Sequence, residues 1–100
     1  MSVLGEFTRL VNGCIELLDA SEAPSTSRWA DALRAARSVA AHDLVGAAER
    51  VLALAEADPS IEDVEFSALG EQREFQDRCD HMLAIVRVIT GRPVGEAQRR

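Results

Sequence analysis

Apolar side chains recur at helical spacing along almost the whole chain, and this period constrains the fold more than any other feature. In the first block they fall at the i, i+3, i+4 and i+7 positions, with polar residues between them. A stripe of this kind is typical of an amphipathic helix, because a half-buried strand alternates with a period of two. Its members are Leu4, Phe7, Leu10, Val11, Cys14, Ile15 and Leu18.

Three further stripes follow, separated by turn residues. They consist of Trp29, Leu33, Ala36 and Ala40, then Leu44, Ala48, Val51, Leu52 and Ala55, then Phe75, Cys79, Met82, Leu83, Val86 and Ile89. Each stripe is too narrow for its helix to be stable alone, so the four faces are best buried against one another. The sequence predicts an all-α, compact four-helix bundle with helices over about 3–19, 26–41, 43–57 and 68–90, and a possible short turn at 61–65.

The chain length allows one hydrophobic core and not two. We therefore expect a single helical domain over 1–93, followed by a flexible tail over 94–100 that shows no apolar period.

Several residues mark the ends of these helices. Asp43 is placed to cap the third helix, and Pro59 ends that helix at or before the preceding residue. The run from Ser60 to Asp63 has the form of a capping box, and Gly91 suits the left-handed residue after the last helix. Gly46 costs helix propensity by about 1 kcal/mol, so we expect it to allow close approach of a neighbouring helix.

Charge and hydropathy disfavour several classes of function. The net charge of −6 opposes binding to nucleic acid, which relies on a surplus of cations at the contact surface. The first twenty residues lack the pattern of a secretion signal, and no apolar run is long enough to cross a membrane. We expect a cytoplasmic protein without membrane contact, in which Cys14 and Cys79 are buried, reduced thiols.

No residue pattern points to catalysis or to a metal. Cys79 and His81 are two residues apart, which turns them about 200° from each other on a helix. Neither they nor the other Cys and His show the ligand spacing of a structural zinc site. Glu74, Asp77 and His81 share a helix face, but no second helix supplies the matching motif of a di-metal site.

Nucleophilic catalysis is also disfavoured. Ser38, His42 and Asp43 are close only in sequence, and a catalytic triad needs convergence in a cleft. We expect no enzyme activity, no catalytic residues and no cofactor.

One segment concentrates the negative charge. Residues 56–80 carry nine carboxylates against two arginines, a local charge of −7, so almost the whole net charge lies there. Such a surface either serves solubility or attracts a basic partner. The partner-binding residues we predict are Glu62, Asp63, Glu65, Glu71, Glu74, Asp77 and Asp80.

Trp29, Leu33, Asp43, Gly46 and Ala47 are followed by Ile61, Asp63 and Val64 before a long closing helix. With this set of residues the chain over about 29–90 resembles a small uncharacterised all-α bacterial domain family, a domain of unknown function. Family members carry a Gly-Gly-Met-Gly-Ser type of turn before the Asp-Val pair, whereas this chain has Glu-Ala-Asp-Pro-Ser at 56–60. The resemblance implies a fold and no activity. At the level of class, small acidic helical chains also resemble bacterial immunity proteins, which cover the catalytic cleft of a toxin.

These observations favour a non-enzymatic module that binds a basic protein, plausibly an immunity protein or antitoxin that neutralises a bacterial toxin. The alternative is a self-associating structural or regulatory protein that forms a homodimer. Its two-fold interface would use apolar residues off the main stripes: Leu17, Val45, Leu54, Ile85 and Val88.

Overall fold

Four α-helices and one short 3-10 helix form the chain in the computed structural model, which describes residues 2–21, 26–66 and 68–91. Within those ranges there is no β-strand. The helices are α1 (Val3–Ala20), α2 (Thr26–Ala40), α3 (Leu44–Glu56) and α4 (Leu69–Thr90), and the 3-10 helix is Ile61–Asp63. The predicted all-α class and the four helices are confirmed. The predicted tail over 94–100 lies outside the described residues.

The helices pack in a ring, in which α1 and α3 each contact both α2 and α4. Hydrogen bonds show that α1 and α2 are antiparallel. Arg37 Nη1 donates to Asn12 Oδ1 at 2.8 Å, and Arg34 pairs with Asp19, so the contacts move up one helix as they move down the other. The side chains of both arginines are half-buried, because each reaches across to α1.

One core lies between the four helices. The buried residues include most members of the predicted stripes, together with Ala30, Ala47, Ile61 and Val64. Leu4 and Leu10 were predicted for the stripe of α1, but Leu4 is exposed and Leu10 is only half-buried. Five of the buried residues on α2 and α3 are alanines, which have no side-chain entropy to lose and are small enough to let helices approach: Ala30, Ala36, Ala40, Ala47 and Ala48.

The helix ends follow the predicted caps in most cases. The Asp43 carboxylate accepts from the Gly46 N–H at 2.9 Å, and Gly91 has a φ of 75° in the left-handed region that favours glycine. α3 ends at Glu56, before Pro59 as expected.

Gly46 serves its own helix cap, a role that the sequence analysis did not predict. The atoms nearest to a Cβ built at this position all belong to the Asp43 carboxylate, which such a Cβ would overlap. The glycine therefore gives room to the capping side chain, while its neighbours Ala47 and Ala48 are buried in the core. Gly46, Ala47 and Ala48 form a run of small residues. The sequence alone does not show which of them makes room for the cap and which are buried in the core.

Candidate functional site

The seven carboxylates predicted for partner binding, here called the acidic surface, lie on two connected elements. Glu62, Asp63 and Glu65 belong to the connection between α3 and α4. Glu71, Glu74, Asp77 and Asp80 belong to α4. All seven are exposed except Glu71, which is half-buried. The structure places the seven side chains on the outside of the bundle, where none of them is required to fill the core.

The first half of the connection is tied to the end of α3. Ser60 Oγ donates to the Ala55 carbonyl at 2.8 Å and accepts from the Glu62 N–H at 3.1 Å. Ile61 is fully buried beneath this turn. The predicted capping box is thus half present: Ser60 caps the turn, but the Asp63 side chain makes no hydrogen bond among the described residues, and only its N–H donates, to the Ser60 carbonyl.

The second half of the connection is tied to α4 by a side chain that the sequence analysis missed. Gln72 Nε2 donates to the Val64 carbonyl at 2.6 Å, and Gln72 Oε1 accepts from the Phe66 N–H at 2.7 Å. The ring of Phe66 also packs on Phe75, with 5.1 Å between centroids. No local pattern could have revealed this contact, because it depends on where an irregular segment crosses the helix.

On α4 the carboxylates wind around the helix. A step of three residues turns about 300°, so each of the four is displaced by about 60° from the one before. Glu74 lies toward α1, where its partner Arg78 donates to the Gly13 carbonyl at 2.8 Å. Asp80 lies toward the connection, on the same cleft as Glu62. The acidic surface therefore covers the exposed side of α4 and is not one narrow stripe.

Two of the seven carboxylates have charged neighbours. Glu74 pairs with Arg78, and the Asp77 carboxylate is 3.9 Å from His81 Nδ1, an ion pair only when the imidazole is protonated. The remaining five form no ion pair within 4.0 Å in the described part of the chain: Glu62, Asp63, Glu65, Glu71 and Asp80. Because no cation pairs with these five carboxylates in the described part of the chain, they produce a negative field on this side of the molecule.

An open cleft of about 160 Å³ lies between the 3-10 helix and α4, lined by Glu62, Gln76, Cys79 and Asp80. Cys79 is buried at its floor. Burial raises the pKa of the Cys79 thiol, and the nearby Cys14, Glu62 and Asp80 raise it further. Burial likewise raises the pKa of Cys14 to about 12. Both thiols are therefore protonated at neutral pH, and neither resembles an activated nucleophile.

The other candidate groups are held apart by the fold. His81 lies on the exposed face of α4, whereas Cys79 points into the core. Ser38 Oγ donates to the Ala35 carbonyl, and the Asp43 carboxylate caps α3, so neither is directed toward His42 as a triad would require. Among the described residues, no group of three or more His, Cys, Asp and Glu side chains could hold a metal ion.

The five apolar residues predicted for a homodimer interface differ in their exposure. Leu17, Leu54 and Ile85 are half-buried and pack against the core, so they offer less apolar surface to a second copy than the sequence suggested. Val45 and Val88 remain exposed, at 51% and 72%. These two valines lie off the main stripes, as predicted. On α1, α3 and α4, however, the residues that pack against the core extend beyond the predicted stripe.

Comparison with known proteins adds no relative. No protein-family model, no curated protein and no solved structure matches the chain. The resemblances to a bacterial domain of unknown function and to immunity proteins stay predictions. None of the helices in the described ranges is long and apolar enough to cross a membrane.

Proposed function

We propose that this protein is a non-enzymatic binding module that docks on a basic partner protein through the acidic surface. One observation carries the proposal: five exposed or half-exposed carboxylates that form no ion pair with any described residue are concentrated on the connection and α4. Unpaired charges of one sign attract a partner of the opposite sign at long range and raise its association rate. The surrounding bundle supplies a rigid frame for them.

The kind of partner that fits best is a bacterial toxin with a basic catalytic cleft. A toxin that acts on a phosphate-bearing substrate needs such a cleft, and an acidic surface of this size can cover it. The chain would then act as a cytoplasmic immunity protein or antitoxin. This function needs no catalytic residue, cofactor or metal in the chain itself.

The proposal is tested by capture from the native host with two matched variants. One variant carries Glu62→Gln and Asp80→Asn, in the acidic surface. The control carries Glu16→Gln and Glu49→Gln, two exposed residues of α1 and α3 that form no ion pair among the described residues. Both lose two negative charges.

A basic protein retained by the wild type and the control, but not by the Glu62 and Asp80 variant, supports the proposal. Equal retention by both variants would show that the partner does not use the acidic surface. Neutralising Glu74 is avoided, because its partner Arg78 also joins α4 to α1.

Self-association is the second candidate function, favoured by the exposure of Val45 and Val88. Light scattering separates the two proposals. The docking proposal predicts a mass of 10.9 kDa that does not change with concentration. A stable dimer that Val45→Ser and Val88→Ser dissociate would favour the alternative.

A further inference from the structure

The two cysteines lie beside a direct contact between α1 and α4. Arg78 Nη1 donates to the Gly13 carbonyl at 2.8 Å, and a Cβ built on Gly13 would lie 3.6 Å from the Arg78 side chain. Cys14 directly follows Gly13 on α1, and Cys79 directly follows Arg78 on α4. Because one residue rises about 1.5 Å along a helix, the two cysteines lie within about 3 Å of the same level.

Both cysteines turn from this contact into the core. Gly13 and Arg78 are half-buried, whereas Cys14 is 0% and Cys79 is 1% exposed. A step of one residue turns about 100° on a helix, which carries each cysteine to the buried side of the same contact. The charge of an ionised Cys14 also raises the pKa of the Cys79 thiol, as a close neighbour does. The two thiols therefore face each other between α1 and α4.

We propose that Cys14 and Cys79 are a reversible redox pair, which a hydroperoxide oxidises to a disulfide that joins α1 to α4. The chain has two cysteines in all, and the fold brings both to one contact. Two packed helices have axes about 8–10 Å apart, so inward side chains at one level lie within reach of a disulfide. The pair acts whether or not the acidic surface binds a partner.

Cys79 reacts first, because it lies at the floor of the cleft and Cys14 does not line it. Hydrogen peroxide is little larger than water and enters a cleft of this size. The Cys79 sulfur attacks one peroxide oxygen, the O–O bond breaks, and Cys79 becomes a sulfenic acid as one water leaves.

The second step closes the bond between the helices. The Cys14 sulfur attacks the Cys79 sulfur, the S–O bond breaks, and a second water leaves as the S–S bond forms. Together the two thiols lose two electrons and two protons, and the peroxide is reduced to two waters.

Burial sets the rate and the effect of this reaction. It keeps both thiols protonated at neutral pH, so the first step is slow and the pair responds to sustained peroxide. The disulfide closes a long loop from Cys14 to Cys79, which restricts the unfolded chain and stabilises the folded one. Oxidation therefore makes the bundle harder to open.

The test is peroxide treatment of the folded, full chain, followed by digestion with trypsin and mass spectrometry without reductant. Trypsin cleaves after arginine, which places Cys14 in the peptide 10–28 and Cys79 in the peptide 79–87. We expect the two peptides as one species, lighter by two hydrogen atoms than their sum, which dithiothreitol separates. The intact protein should remain a single chain on a non-reducing gel.

Thermal unfolding gives the second readout. The midpoint should rise by at least about 8 °C on oxidation and return when dithiothreitol is added. Cys14→Ala and Cys79→Ala are the matched controls, because each keeps one thiol and both methionines, which peroxide also oxidises. Neither control should gain stability from peroxide. The peptide analysis needs no variant, so it decides the pairing even if a control is unstable.

Three results would overturn the redox pair. The first is linkage of the two peptides only after the chain has been unfolded in urea. The second is a sulfinic acid at Cys79, or a disulfide between two chains, in place of the internal bond. The third is an internal disulfide that lowers the thermal midpoint, since such a bond would strain the bundle and not stabilise it.

Discussion

At the scale of single residues, the two buried cysteines have a consequence for stability at high pH. The chain contains no Lys and no Tyr, so the two thiols are the side chains that titrate between about pH 9 and 12. Burial raises the pKa of Cys14 to about 12 and raises the pKa of Cys79 as well. In the unfolded chain both thiols ionise near their ordinary pKa of about 8.5.

The free energy of unfolding should therefore fall as the pH rises above about 9. The unfolded state releases its thiol protons first, so each thiol lowers the unfolding free energy by up to about 1.4 kcal/mol per pH unit until its folded pKa is reached. Urea unfolding from about pH 8 to 11 measures this slope. A variant with Cys14→Ala and Cys79→Ala should show almost none of it, and an unchanged slope would refute the assignment.

A second residue-scale prediction concerns the cap of α3. Asp43→Ala should destabilise the protein by about 1 kcal/mol, because the Gly46 N–H loses its acceptor. In a Gly46→Ala background the same change should cost clearly less, since the added Cβ already displaces the Asp43 carboxylate. Thermal or urea unfolding of the wild type, the two single variants and the double variant gives the coupling free energy between the two positions. Additive effects would instead indicate that Gly46 serves a contact with another helix.

At the scale of elements, the helices could be predicted from the sequence and the ties between them could not. The apolar period depends only on local spacing, so α1 to α4 begin and end within one residue of their predicted bounds. Caps such as Asp43 are equally local. In the sequence, nothing distinguishes Arg37, Arg78 and Gln72 from other polar residues, because their hydrogen-bond partners lie on other elements.

The same difference applies to the acidic surface. Its charge excess is visible in the sequence, but the winding of its carboxylates around α4 and the hydrogen bonds by which Gln72 holds Val64 and Phe66 of the connection are not. The five apolar residues predicted for a homodimer interface were grouped only because each lies off the apolar stripe of its own helix. Three of them, Leu17, Leu54 and Ile85, pack against the edge of the core, which depends on how the helices meet and not on the pattern of one helix.

The tie between α1 and α4 gives a prediction at this scale. Arg78→Met keeps the apolar stem but removes the side-chain hydrogen bond to the Gly13 carbonyl and the pair with Glu74, so the free energy of unfolding should fall by about 1 to 2 kcal/mol. Arg73→Met, on an exposed side of the same helix, should change it by less than about 0.5 kcal/mol. Urea unfolding distinguishes them. Equal effects would mean that Arg78 contributes no more than a surface charge.

At the scale of the whole molecule, the apolar side chains hold the bundle together and the charge is left on one side of it. The core uses the apolar face of every helix, and most of the net charge lies on the connection and on α4. A protein arranged in this way offers a partner shape and negative potential. Electrostatic attraction of this kind acts mainly on the rate of association and weakens as salt screens it.

The most direct test is the association rate of the purified protein with its captured partner, measured from about 0.01 to 0.3 M salt. The acidic-surface account predicts a rate that falls steeply with salt for the wild type and for the Glu16→Gln and Glu49→Gln control. It predicts a slower rate and a shallower dependence for the Glu62→Gln and Asp80→Asn variant. Identical rates and salt dependences for the two variants would contradict it.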